Sequence, residues 1–169
     1  MPTVHRTRTI SAPLAPLWQT VSDPHHLPRW WPRVVRVEDV TDTAFTEVLA
    51  SSQGRLLRAD FALLDRTEHP HLVRWRQLLQ GSPFARLLKS AQTTVSLTPA
   101  DTAGLLAAPL TATSPAAAPL AAASTTVTIE LRQSLAGFFP RFGSFMVRKA
   151  ALHTIEEALD GLERIAAPR

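Results

Sequence analysis

Two side chains near the C-terminus have the types and the spacing of an acid–base pair. Lys149 and His153 are four residues apart, so on a helix they lie on the same side. A histidine exchanges protons near neutral pH, and a lysine ammonium can stabilise a developing oxyanion. If that side faces a pocket, both are candidate catalytic residues; if it faces solvent, both are hydrated surface residues.

A neutral polar residue on a strand is a second candidate. Gln77 belongs to an alternating set that also holds Val73 and Trp75. In a pocket its amide would orient a carbonyl group without transferring a proton, whereas at a sheet edge water would satisfy it. The chain has no Tyr, which leaves few other hydrogen-bonding side chains for a pocket.

The histidine pairs do not predict a metal site. His25 and His26, and likewise His69 and His71, fall in predicted turns without a carboxylate or a third histidine at ligand spacing. The absence of cysteine removes thiolate zinc sites, disulfides and a cysteine nucleophile. We therefore expect no metal and no cofactor. Without cysteine, redox chemistry would require a bound cofactor.

Length and composition predict a single globular domain over 1–169. Of the 169 residues, 45% are hydrophobic and 19% are charged, which is enough apolar material for a sizeable core. The apolar stretches are too short for a membrane-spanning helix, and the N-terminus lacks the apolar run of a signal peptide. We expect a cytoplasmic protein without integral membrane association.

The positive charge does not indicate a nucleic-acid partner. The formal net charge is +4 and the pI is about 10.9, almost entirely from arginine. These arginines are interleaved with Asp and Glu and form no basic run. We expect no nucleic-acid binding.

The order of elements predicts an antiparallel sheet with helices. Alternating and β-branched residues indicate seven strands, separated by short connections in the middle of the chain. The predicted strands are 3–11, 34–40, 44–50, 56–64, 71–79, 84–97 and 125–133. Two short helices, 14–21 and 25–31, follow the first strand, and Pro32 ends the second of them.

A segment rich in Ala, Pro, Leu and Thr separates the last two strands. It runs from about 99 to 123 and carries almost no charge. This composition is typical of a low-complexity insertion in a hairpin loop. A mobile surface loop is the simplest interpretation; a lid over a pocket or a contact with a partner protein are the alternatives.

A long amphipathic helix is predicted from about Arg141 to Ala166. Phe145, Leu152, Ile155, Leu159 and Leu162 recur at helical spacing, and some 25 residues would span about 38 Å. The first turns are aromatic and the last ones aliphatic. We expect the start to line a cavity and the end to seal a core; the alternative is that the whole apolar face is core.

Several short motifs resemble one known family. They are Val4 to Pro13 with its Ile-Ser-Ala-Pro ending, the segment 17–24 beginning Leu-Trp, the segment 27–32 ending Trp-Trp-Pro, and parts of 146–162. In this order they are similar to the START/Bet v 1-like (SRPBCC) superfamily, in its bacterial polyketide cyclase/dehydrase and lipid-transport branch. The insertion at 99–123 departs from the short hairpin usual there.

The resemblance implies an α+β helix-grip fold, in which a curved antiparallel sheet of six to seven strands wraps around the C-terminal helix. It implies a cavity between the two for an apolar, lipid-like or aromatic small molecule. Binding, with transport or sequestration, is the leading functional hypothesis. The alternative is a metal-free cyclase, aromatase or dehydrase that acts in the same cavity through His153 or a charged residue.

The residues expected to contact the ligand come from the strands, from the Trp-Trp pair and from the helix start. They are Trp30, Trp31, Phe61, Trp75, Gln77, Val95, Phe142, Phe145, Met146 and Lys149. Of the tryptophan pair, we expect one ring to contact the ligand and the other to pack. Arg58, Asp60, Arg74 and Arg76 are assigned to the opposite, outer face of the sheet.

Overall fold

A computed structural model describes residues 3–100, 123–136 and 141–167, with side chains in the last segment from residue 145 onward. Seven antiparallel strands form one sheet in the order β1-β7-β6-β5-β4-β3-β2. The strands are β1 (Thr3–Ile10), β2 (Val34–Glu38), β3 (Ala44–Ala50), β4 (Leu56–Glu68), β5 (His71–Leu78), β6 (Leu88–Pro99) and β7 (Thr125–Leu135). The helices are α1 (Leu14–Ser22), α2 (Leu27–Trp30) and α3 (Arg141–Ala166). The predicted helix-grip architecture is confirmed.

Two predicted strand boundaries are wrong by four residues: β4 runs to Glu68 rather than ending at Leu64, and the start of β6 is misplaced. Pro83 to Arg86 form a turn of 3-10 helix, closed by a 2.9 Å hydrogen bond from Leu87 N–H to the Phe84 carbonyl, so β6 begins at Leu88 rather than at Phe84. The proline fixes the backbone for the helical turn and lacks the N–H that a strand ladder requires. Phe84 is therefore positioned by a turn.

The strands β6 and β7 pair with each other, as predicted, in register from Leu88↔Leu135 to Pro99↔Thr125. The predicted insertion falls between their ends. Residues 101–122 of that insertion lie outside the described residues.

The core lies between the inner face of the sheet and the second half of α3. Ile155, Leu159 and Leu162 are at most 1% exposed and belong to one cluster with Val95 and Ile129. Removing a buried Ile or Leu side chain typically costs about 2–5 kcal/mol. The C-terminal half of α3 is therefore structural. Neither α3 nor another helix in the described segments is long and apolar enough to cross a membrane.

Two arginines of the edge strand β1 hold α3 in place by ion pairs. Arg8 reaches Glu156 and Asp160 at 2.6 Å and Glu163 at 3.1 Å. Arg6 contacts Glu156 at 3.0 Å. Exposed pairs contribute little singly, but one guanidinium shared by three carboxylates on successive helical turns fixes the helix along the strand.

A glycine allows α2 and α3 to touch. A Cβ built on Gly161 would lie 2.3 Å from the carbonyl oxygen of Trp30 and 2.8 Å from its Cα. Only a residue without a side chain permits this approach. The contact fixes the end of α2, and with it Trp31, over the inner face of the sheet.

Candidate functional site

A cavity of about 340 Å³ lies between the inner face of the sheet and α3. Five strands, about two turns of α3, the segment after α2 and the 3-10 turn at Phe84 contribute to its wall. The lining residues are Trp31, Pro32, Arg33, Glu47, Leu49, Phe61, Trp75, Gln77, Phe84, Leu88, Ala91, Gln92, Thr93, Leu131, Gln133, Ala150, His153, Thr154 and Glu157. This volume is within the range of small-molecule sites.

Aromatic rings form one wall of the cavity. Trp31 and Trp75 meet edge to face with centroids 5.7 Å apart, and Phe61 stacks on Phe45 at 5.3 Å. Phe45 also meets Trp75 at 6.3 Å, which joins the rings into one cluster. Rings held in this way offer a rigid apolar surface to a planar or aliphatic ligand.

Glu47 is the one buried ionisable side chain among the described cavity residues. It is 2% exposed. Phe45 and Leu49 precede and follow it on the same face of β3, and Val37 and Ala59 lie opposite it on the neighbouring strands. Its Oε1 atom has no hydrogen-bond partner among the described residues.

Burial raises the pKa of the Glu47 carboxyl to about 8. Transfer from water into apolar surroundings disfavours the charged form, and no cation of the described segments offsets this effect. Glu47 is therefore a neutral carboxylic acid at neutral pH. In that form it can donate a hydrogen bond, and on ionisation it becomes a base.

The α3 side of the cavity forms its rim. His153 has a side chain that is 69% exposed, and its Nε2 atom lies 3.6 Å from Oε1 of Glu157. Both residues line the cavity. Titratable groups thus lie both at the buried floor on β3 and at the solvent-exposed rim on α3.

An apolar groove continues the cavity toward the start of α3. It has a volume of about 430 Å³ and is lined by Leu87, Leu88, Gln133, Leu135, Met146, Val147, Ala150, Ala151 and Thr154. Leu88, Gln133, Ala150 and Thr154 line both spaces. A ligand longer than the cavity would extend into this groove.

The structure brings together five of the candidate residues of the sequence analysis. Trp31, Phe61, Trp75, Gln77 and His153 line the cavity. Met146 lines the groove. Four other candidates, Trp30, Val95, Phe145 and Lys149, line neither space.

Trp30 and Val95 pack in the core and do not line the cavity. Trp30 is 2% exposed and Val95 is 0% exposed. Val95 lies four residues beyond Ala91 on the inner face of β6, at the level where the second half of α3 fills the space. Of the tryptophan pair, Trp31 lies against the cavity and Trp30 packs.

Phe145 and Lys149 lie on the solvent side of α3. Phe145 is 68% exposed, Lys149 is exposed, and neither lines the cavity or the groove. Phe145, Lys149 and His153 follow one another at intervals of four residues, so all three share one side of the helix. His153 reaches the rim from there, whereas Lys149 does not. The side chain of Phe142 lies outside the described residues.

Glu47 was not among the sequence-based candidates, although the sequence carries a signal for it. It falls between Phe45 and Leu49 in the alternating set of a predicted strand, where an apolar residue is expected on the buried face. A single carboxylate in such a set is either a buried acid or evidence that this set of residues faces solvent. If every charged residue is assigned to the outer face because of its type, a buried acid is missed.

Metal-ligating side chains do not cluster in the described part of the chain. No group of three or more His, Asp or Glu side chains is placed to hold a metal ion in the segments that the structure describes. The polar groups of the cavity are suited instead to hydrogen bonding and proton exchange.

Solved structures with the same fold include one START superfamily protein and one aromatase/cyclase. The START superfamily protein from Mycobacterium smegmatis is 17% identical, with a TM-score of 0.67 over 97% of this chain and 96% of that one. The Zhui aromatase/cyclase from Streptomyces sp. R1128 is 13% identical, with a TM-score of 0.70 over 98% and 93%. At these identities the likeness shows the fold alone.

No curated protein sequence matches this chain. A family model described as "Polyketide cyclase / dehydrase and lipid transport" matches residues 1–167. With a match over nearly the whole length, the chain belongs to the polyketide cyclase/dehydrase and lipid transport family.

Proposed function

We propose that this protein binds an apolar, lipid-like or aromatic small molecule in the cavity between the sheet and α3. The observation that carries the proposal is the continuous space formed by the aromatic-walled cavity and the apolar groove. Burial of apolar ligand surface there would contribute about 25 cal/mol per Å². Transport or sequestration of the molecule needs no further chemistry.

Filling the cavity from the sheet side should abolish binding. Ala91 lies on the inner face of β6 and lines the cavity, so a phenyl ring in Ala91→Phe would occupy ligand space. We expect the affinity for the neutral fluorescent probe N-phenylnaphthylamine to fall about tenfold or more, measured by fluorescence titration.

The matched control is Ala62→Phe. Ala62 pairs with Arg76 on β5, on the face of the sheet away from the cavity. This variant should bind the probe like the wild type. Unchanged affinity in Ala91→Phe, with both variants folded by circular dichroism, would place the binding site elsewhere and contradict the proposal.

A second candidate function is catalysis of the cyclase or dehydrase kind. The observation in its favour is the buried carboxyl of Glu47 in a cavity that is also lined by His153. As a carboxylate, Glu47 would remove a proton from the carbon next to a ligand carbonyl, which leaves an enolate. Such proton abstraction is the first step of both aldol cyclisation and dehydration.

Exchange of carbon-bound hydrogen tests this candidate. Incubated with a naphthyl ketone in heavy water, the wild type should accelerate deuterium incorporation beside the carbonyl, followed by NMR. The rate should rise as Glu47 ionises around its pKa of about 8, and Glu47→Gln should be inactive. Exchange at the buffer rate in both proteins would remove the catalytic candidate and leave binding.

A further inference from the structure

We propose that Glu47 selects the ligand. The molecule is an uncharged amphiphile with a hydrogen-bond acceptor, such as a ketone or ester oxygen, that accepts a hydrogen bond from the Glu47 carboxylic acid. Its apolar tail extends into the groove at Met146. This inference rests on the proposed binding function and names the ligand class for the same cavity.

The acceptor end is inferred from the state of the Glu47 side chain. The Glu47 carboxyl is buried, and its Oε1 atom has no partner in the described residues, so it is an unsatisfied polar group. Such groups destabilise a protein unless a partner reaches them. A ligand with an oxygen acceptor would satisfy the acid, whereas a purely apolar ligand would leave it unpaired.

Within the part of the chain that the structure describes, no charged group of the surrounding elements takes the place of that ligand. Arg33, His153 and Glu157 are the other charged or titratable side chains that line the cavity. Val37 and Ala59, which flank Glu47 on the adjacent strands, carry no charge. Burial is the cause of the raised pKa of Glu47, and no ion pair of Glu47 with these three side chains is found among the described residues.

The tail end is inferred from the shape of the space. The groove shares four lining residues with the cavity and is otherwise apolar. Its far wall is formed by Leu135 of β7 and by Met146 and Val147 of α3. A chain anchored at Glu47 and longer than the cavity would therefore lie between β7 and the start of α3.

Matched naphthalene dyes test the acceptor. Prodan carries a propanoyl group, and its propyl analogue has a methylene in place of the carbonyl. We expect the wild type to bind prodan about tenfold more tightly than the analogue near neutral pH, because only prodan accepts the hydrogen bond. The hydrogen bond should also red-shift the emission of bound prodan, relative to prodan bound without that hydrogen bond.

Two substitutions at Glu47 show whether the preference for prodan depends on the hydrogen bond that residue 47 donates or on the volume of its side chain. Glu47→Gln keeps a donor of nearly the same volume and should preserve the preference at every pH. Glu47→Met removes the donor and should abolish the preference while leaving binding of the propyl analogue within about threefold. In the wild type the preference should disappear as the pH rises through about 8, because an ionised carboxylate no longer donates.

Chain length tests the tail. Laurdan, the same dye with a dodecanoyl chain, should bind the wild type more tightly than prodan. Met146→Arg should weaken laurdan binding more than prodan binding and so remove this gain, since Met146 lines the groove and not the cavity.

The possible outcomes distinguish failure of the proposed role of Glu47 from failure of the proposed binding function. If none of the dyes binds, the proposed binding function itself fails. If prodan and its analogue bind equally well and Glu47→Met changes neither, the cavity binds apolar molecules and the role of Glu47 is refuted. If the preference for prodan grows with pH, Glu47 does not act as the donor and the inference is also wrong.

Discussion

Replacing Glu47 with Gln should make the protein markedly more stable in alkaline solution than the wild type. Burial raises the pKa of Glu47 from 4.5 to about 8 in the folded state. A difference of this size corresponds to a change in the free energy of unfolding on the order of 5 kcal/mol. The amide of Gln has nearly the same shape and carries no charge at any pH.

The sign of the effect follows from proton binding. Below the ordinary pKa of 4.5 both the folded and the unfolded state hold the proton, and the wild type has its full stability. Between 4.5 and about 8 only the folded state holds it, so the free energy of unfolding falls as the pH rises. Above about 8 the loss is complete.

Urea denaturation over a pH series measures this effect. The difference in unfolding free energy between Glu47→Gln and the wild type should grow with pH and reach a plateau above about 8. The control is Glu38→Gln, because Glu38 lies in an exposed ion-pair cluster with Arg36 and Arg58, and pairing lowers its pKa. Parallel pH profiles for Glu47→Gln and the wild type would show that Glu47 ionises freely.

Local patterns predicted most of the fold because they repeat along the chain. The predicted bounds of β3 and α3 agree with the structure, and the pairing of β6 with β7 followed from their alternation. An apolar period of two or of 3.6 is averaged over a whole segment, so single exceptions do not hide it. The start of β6 was misplaced because a turn at Pro83 interrupts the pattern locally.

The candidate site was only partly predictable because it consists of exceptions to those patterns. Glu47 is a charged residue in an apolar set, and Arg6 and Arg8 share the face of β1 that holds the buried Val4 and Ile10. Residue type alone assigns all three to solvent. Whether such a residue faces an ion-pair partner, as Arg8 does, or a cavity, as Glu47 does, depends on how closely α3 approaches the sheet above it.

At the aromatic start of α3 the error is the opposite one, because apolar residues were assigned to the cavity although they are exposed. The apolar character of this segment predicted a cavity lining, yet Phe145 is 68% exposed and Met146 is 70% exposed, and of the two only Met146 borders the groove. Neighbouring helical positions point about 100° apart, and a segment that is apolar all round does not indicate which side is covered.

Adding a single methyl group at Gly161 should destabilise the whole domain. Alanine would ordinarily stabilise a helix by about 1 kcal/mol relative to glycine. Here the new Cβ would lie 2.3 Å from the Trp30 carbonyl oxygen, and the obstacle is backbone, which no side-chain rotation can relieve. We expect Gly161→Ala to lower the free energy of unfolding by about 2 kcal/mol or more, measured by urea denaturation.

Arg164→Ala is the control for a substitution on α3 as such. Arg164 is exposed near the helix end, and its replacement should change the unfolding free energy by less than about 0.5 kcal/mol. A Gly161→Ala protein as stable as this control would mean that α2 and α3 do not approach as closely as the structure shows.

The same substitution links the architecture to the cavity. α2 is held against α3 at Gly161, and the residue that follows α2, Trp31, packs on Trp75 at the cavity wall. Pushing α2 away would shift Trp31, so in conditions where Gly161→Ala remains folded it should bind N-phenylnaphthylamine more weakly than the wild type. Arg164→Ala should bind the probe like the wild type.

If Gly161→Ala is less stable but binds N-phenylnaphthylamine with unchanged affinity, the position of Trp31 is set by its neighbours on the sheet and not by the contact between the helices.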